Sequence, residues 1–159
     1  MIFVTVGTNE APFDRLVEAT GRFGVAAEQV VVQYGASSIR PLGATLVDFV
    51  PFDRLVDYVR AARVVVTHAG VGSVLVALSN GHRPIVMPRL RRYGEAVDDH
   101  QAAFAAQFAE TGLVTLVRDA SELEAALDGG TGRGVAAAPD GGLLVDELRS
   151  YLTACISRR

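Results

Sequence analysis

The order of the chain predicts a Rossmann-like α/β fold, a doubly wound parallel sheet. Short β-branched runs alternate with longer stretches of helical spacing, and that alternation implies right-handed βαβ crossovers. Continuous apolar runs such as Val64-Val65-Val66 read as strands covered on both faces, as in a parallel sheet with helices above and below. A length of 159 residues suits one domain with a sizeable core.

The elements follow in order. Residues 2–6 read as the first strand, ended by Gly7, and a helix over 13–23 is entered through Pro12. Residues 29–34 and 44–50 read as strands, then 52–62 as a helix. The strand at 64–67 passes into a helix over 73–80 that Ser73 can cap. Residues 84–88 form the fifth strand. In the helix over 97–111, Phe104, Ala105 and Phe108 mark one apolar face and Gly112 is a natural stop. A strand at 114–117 and a helix over 121–127 close the pattern, with Ser121 and Glu124 spaced as a capping box. The Rossmann-like domain thus spans 1–128. Residues 129–142, with six glycines and a proline, read as a flexible loop. Residues 143–159 read as a C-terminal helix with Leu144, Leu148, Tyr151, Leu152 and Cys155 on one stripe, packed on its own domain or on a partner.

Composition removes several functions. All 15 basic residues are arginine, so a Walker-type phosphate loop, a Schiff-base enzyme and a protein-kinase site each lack their lysine. A net charge of −3 argues against a nucleic-acid binder that works by neutralising phosphates. One cysteine and no His/Cys cluster fit a reducing cytoplasm without zinc. The opening Met-Ile-Phe-Val-Thr-Val lacks the basic flank of a signal peptide, and no run is long enough to span a membrane. A mean hydropathy of +0.28 is high for a small domain, and part of that apolar surface suits a partner.

Ligands of open α/β sheets sit beyond the carboxyl ends of the strands, and three such ends carry functional residue types. After the first strand come Gly7, Thr8 and Asn9; no further glycines follow at the offsets of a dinucleotide fingerprint, so NAD is not expected. After the fourth come His68, Gly70, Gly72 and Ser73, where two glycines permit close backbone approach and a helix N-terminus favours an anion such as a diphosphate. The blander reading there is a glycine turn beside a buried, hydrogen-bonded His68. After the fifth come Arg89, Glu95, Asp98, Asp99, His100 and Gln101, with the last four placed in the first turn of a helix. Carboxylates and amides pair naturally with sugar hydroxyls. No further carboxylates join Asp98 and Asp99, so no metal site is expected.

These residues carry a resemblance. Residues 1–16, MIFVTVGTNEAPFDRL, together with residues 68–112, resemble the donor-binding half of a GT-B glycosyltransferase of family 28. The nearest likeness is to the small catalytic subunits of split N-acetylglucosaminyltransferases of the dolichol pathway and of bacterial exopolysaccharide assembly. The string PRLRRYGEAVDDHQ is especially similar to the bacterial subunits. The resemblance implies that Gly70, Gly72 and Ser73 accept the donor diphosphate and that His100 and Gln101 contact the donor sugar. Glu95, Asp98 and Asp99 would shape the sugar pocket, with Gly7 and Thr8 lining the cleft. It further implies a UDP-sugar donor such as UDP-N-acetylglucosamine, inverting transfer without metal or cofactor, and a membrane-associated partner subunit that binds the acceptor and recruits the chain to the cytoplasmic membrane face. No residue here is assigned as the catalytic base.

Two positions depart from the family pattern. Val76 stands where the family has a carboxylate that holds the ribose diol, and Asn9 stands where it has histidine. Loss of the ribose contacts weakens donor binding by about 1–3 kcal/mol if nothing replaces them. The alternative reading is therefore a non-catalytic subunit that keeps the fold and partner face without efficient donor binding. Sugar-nucleotide epimerases share a related architecture but need a second domain.

Overall fold

The computed structural model describes residues 1–23 and 28–128; the expected loop at 129–142 and helix at 143–159 lie outside the described residues. Six strands form one parallel sheet: β1 (Ile2–Thr5), β2 (Val30–Gln33), β3 (Thr45–Val47), β4 (Val64–His68), β5 (Ile85–Met87) and β6 (Thr115–Leu116). Their spatial order is β3-β2-β1-β4-β5-β6, the doubly wound arrangement. The helices are α1 (Asp14–Thr20), α2 (Phe52–Ala61), α3 (Val71–Ser79), α4 (His100–Glu110) and α5 (Ala120–Asp128). No helix among the described residues is long and apolar enough to cross a membrane.

Side-chain alternation distributes the core to both faces. Val4, Val64, Val66, Ile85 and Met87 pack with Leu16 and Val17 of α1 and Leu123 of α5. Phe3, Val31 and Val65 turn the other way, onto Val59 of α2 and Ala77 of α3, and Val86 meets Phe104 and Phe108 of α4. The unbroken valine run of β4 is thus required because each face of the strand lies under helices. Tyr58 of α2 stacks on Phe3 at 5.2 Å between ring centroids, worth about 0.5–1.5 kcal/mol beyond the area buried.

Three helix starts differ from the sequence expectation, two of them because a polar side chain binds the backbone. Asp98 Oδ1 accepts the His100 N–H at 3.1 Å and Asp99 Oδ1 accepts the Arg91 N–H at 2.9 Å, so these two residues form a turn before α4 rather than its first turn. The cap of α5 is Asp119, whose Oδ1 accepts the Glu122 N–H at 2.9 Å, while the Glu122 carboxylate accepts the Arg118 N–H at 2.8 Å. Those two bonds stand in place of the expected Ser121/Glu124 box. Gly70 precedes α3, so Ser73 lies inside the first turn and is not the cap. Arg91–Tyr93 form a short 3-10 turn closed by Gly94 at φ +69°.

Candidate functional site

The chain runs from β1 through α1 to β2 on one side and returns through α2 to β4 on the other, so the order reverses between β1 and β4. A crevice opens at the carboxyl ends of strands so arranged. On the β1 side stands Gly7 at φ +75°, a conformation that favours glycine. Its N–H donates to Thr5 Oγ1 at 3.2 Å and its carbonyl accepts from Gln33 Nε2 at 3.2 Å; Thr5 and Gln33 bond each other through their side chains. Thr8 and Asn9 are exposed beyond it. Asn9 Oδ1 accepts the Ala11 N–H at 2.8 Å and so shapes the loop into α1.

On the β4 side the His68 imidazole lies between two glycines. A Cβ on Gly7 would stand 2.3 Å from Cε1, and one on Gly70 would stand 2.2 Å from Nε2. Burial, with the Arg89 guanidinium nearby, pushes the His68 pKa down to about 4, so the ring is neutral at physiological pH. The Thr67 hydroxyl is 3.4 Å from His68 Nδ1. Beyond Gly70, Val74 donates the first helical bond of α3, to the Gly70 carbonyl at 3.1 Å, and no side chain caps the helix. The amides of Val71, Gly72 and Ser73 precede that ladder, where the helix dipole is positive. A Cβ on Gly72 would meet nothing within 4 Å.

Gly7, Thr8, His68, Gly70, Gly72 and Ser73 line one cleft of about 340 Å³, together with the apolar Val50, Phe52, Leu55 and Val76. The structure thereby joins two of the three strand ends singled out from sequence. These four apolar residues were not anticipated as a group, although Val50 and Phe52 follow β3 and the same strand-end rule points to them.

The third strand end is organised differently. Arg89 is fully buried, and its guanidinium donates to the carbonyls of Ala11 (2.8 Å), Pro12 (3.2 Å), Glu95 (3.2 Å) and Val6 (2.9 Å). Burial opposes the charge on Arg89, and the Glu95 carboxylate supports it. Glu95 is also buried. It is gripped by Arg15, with Nε to Oε1 at 3.0 Å and Nη2 to Oε2 at 2.9 Å, and it accepts the Leu90 N–H at 2.9 Å. Neither side chain lines the cleft. Arg89 ties the β1–α1 loop, whose Gly7 and Thr8 line the cleft, to the end of β5, and Arg15 ties α1 to the β5–α4 loop. Arg15 escaped sequence reasoning because its carboxylate partner lies 80 residues away. Gln101 Oε1 accepts the Arg89 N–H at 3.2 Å. Asp98, Asp99 and His100 are exposed, with His100 Nε2 3.5 Å from Asp98 Oδ2, so the segment from Asp98 to Gln101 stands apart from the cleft lining.

A doubly wound parallel sheet with a cleft at its point of reversal and an uncapped helix N-terminus facing it defines a Rossmann-like domain built to receive a ligand. Residues 1–133 match the family model of the glycosyltransferase family 28 C-terminal domain, and the chain belongs to that family. Its fold is similar to the glycotransferase of kitacinnamycin (TM-score 0.63, 21% identity), covering 99% of this chain and 43% of that one. It is also similar to spinosyn forosaminyltransferase SpnP (TM-score 0.59, 16% identity), covering 82% of this chain and 34% of that one. The chain therefore spans less than half the length of these solved structures. No curated protein matches it.

Proposed function

We propose that the chain is the donor-binding part of an inverting glycosyltransferase that uses a nucleoside diphosphate sugar. The single observation that carries this reading is the uncapped N-terminus of α3 opening on the cleft, in a chain of family 28. A diphosphate seated there receives hydrogen bonds from the amides of Val71, Gly72 and Ser73 and the favourable end of the helix dipole. In the reaction an acceptor oxygen attacks the anomeric carbon while the bond to the diphosphate breaks. The electron pair passes to the diphosphate oxygen, where the same amides stabilise the growing charge without a metal ion. The acceptor proton goes to a base on the acceptor-binding half, for which we propose a membrane-associated subunit working in polysaccharide or glycolipid assembly at the cytoplasmic membrane face. Asp98, Asp99, His100 and Gln101, on the exposed β5–α4 segment, are offered as contacts to the donor sugar.

UDP-N-acetylglucosamine is the donor the family resemblance implies. Calorimetry of the chain with nucleoside diphosphates and with this sugar nucleotide tests the reading, and no binding at millimolar concentration would sink it. A second reading, a non-catalytic subunit, draws on Val76 and Asn9. It wins if nucleotide binding appears only after Val76→Glu and Asn9→His.

A further inference from the structure

The last rung of the sheet below the cleft is polar. Thr5 of β1 pairs in register with Gln33 of β2 on one side and Thr67 of β4 on the other, while the three rungs before it are apolar throughout. All three polar side chains are buried. An apolar rung would extend the core without burying hydrogen-bonding groups, so a polar rung here answers a demand of the loop above it. That demand is visible at Gly7. Its N–H donates to the Thr5 hydroxyl, which donates in turn to Gln33 Oε1, and Gln33 Nε2 donates to the Gly7 carbonyl at 3.2 Å. The circuit fixes the Gln33 amide one way round, since the carbonyl can only accept.

Fixing that carbonyl also fixes the amide that follows it. No peptide bond among the described residues is cis, and in a trans peptide C=O and N–H point in opposite directions. The Gly7 carbonyl is turned to the β2 side, where Gln33 lies and where a Cβ on Gly35 would stand 3.3 Å from it. The Thr8 N–H therefore points away from β2, and the strand on that side is β4, which leads into α3. No acceptor among the described residues takes it. Thr8 lines the same cleft as Gly72 and Ser73. The loops that bear them meet neighbouring atoms of one imidazole, His68 Cε1 beside Gly7 and Nε2 beside Gly70. We infer that Gln33 is a positioning residue for the ligand: it holds the Gly7–Thr8 peptide so that the Thr8 amide joins the first amides of α3 around one anion. The inference rests on the donor-binding reading, in which that anion is the diphosphate.

Gln33→Glu tests it, because the carboxylate still accepts the Thr5 hydroxyl but offers the Gly7 carbonyl a repelling oxygen in place of a donor. A glycine so released can turn its peptide over. Amide NMR of the isotope-labelled chain titrated with UDP reads each donor separately. In the unmutated chain the Thr8 signal is expected to move together with those of Gly72 and Ser73. In Gln33→Glu the α3 signals should still move, the Thr8 signal should not, and UDP should bind about tenfold more weakly. Thr5→Val, which removes the hydroxyl that orients the Gln33 amide, should change both readings in the same direction and serves if Gln33→Glu does not fold. A Thr8 signal that stays still while the α3 signals move overturns the inference and leaves donor binding standing. A Thr8 response and a UDP affinity that survive the substitutions overturn the role of Gln33, even where urea denaturation shows the fold weakened. No UDP-dependent shift at millimolar concentration removes the donor-binding reading and this inference with it.

Discussion

The imidazole of His68 occupies the space a side chain on Gly70 would need, with Nε2 only 2.2 Å from the position of its Cβ. The same ring closes off Gly7, whose Cβ would stand 2.3 Å from Cε1. One buried histidine thus holds apart the two loops that line the cleft, and both positions are glycine to admit it.

Gly70→Ala and Gly7→Ala are expected to destabilise the fold by about 1–3 kcal/mol each, since ring or backbone must shift. Gly7→Ala costs more because φ is +75° there. Replacing His68 by Ala first should recover much of the Gly70→Ala loss, a coupling that a double-mutant cycle in urea reads directly. Gly72→Ala should leave stability within about 0.5 kcal/mol or raise it, since alanine is the better helix former and its Cβ meets nothing. Nucleotide affinity should nevertheless fall in Gly72→Ala, because the new methyl lies on the cleft surface.

His68 makes stability depend on pH with a defined sign. Its pKa is about 4 when folded against 6.5 ordinarily, so between these values the unfolded chain binds a proton that the folded chain refuses. Its contribution is fully present above pH 6.5 and is lost as the pH falls through about 4, in total about 3 kcal/mol. Chemical denaturation across that range should flatten in His68→Gln. An unchanged profile in the variant would show that the ring is not the group responsible.

Arg89 binds four carbonyls, three from the segment between β1 and α1 (Val6, Ala11 and Pro12) and one from Glu95. Arg89→Met should cost about 3 kcal/mol or more, because those acceptors stay buried without a donor. Arg89→Lys should recover little, since one ammonium cannot span what the guanidinium fork reaches. If donor binding holds, both variants should lose nucleotide affinity as well, because the Gly7–Thr8 side of the cleft loses its brace. Urea denaturation with calorimetry on the same samples separates the two effects.

Much of the sheet is legible in local chemistry. The valine runs of β2 and β4 and the aromatic spacing of α4 are properties of neighbouring residues, so the strands and helices follow from periodicity. The helix starts were less legible. Asp119, Asp98 and Asp99 bind backbone amides in competition with the helix ladder, and which aspartate wins depends on where the flanking loop is held. In the site, Gly7, Gly70 and Gly72 look alike as letters. Only the structure separates two that make room for His68 from one that keeps the cleft open.

By itself the sequence determined the class of fold and the strand ends where a ligand belongs, because alternation and strand-end glycines are local signals. Its lack of lysine also meant that any anion must rest on backbone amides or arginine. Tertiary structure decided between those two. Arg15 is held half-buried by a carboxylate and Arg89 is drawn fully inside by carbonyls, partners mostly distant in the chain. Burial of a guanidinium demands that all its partners converge, and such convergence exists only in the folded chain. Among the described residues that line the cleft, the amides of α3 are then left to meet an anion.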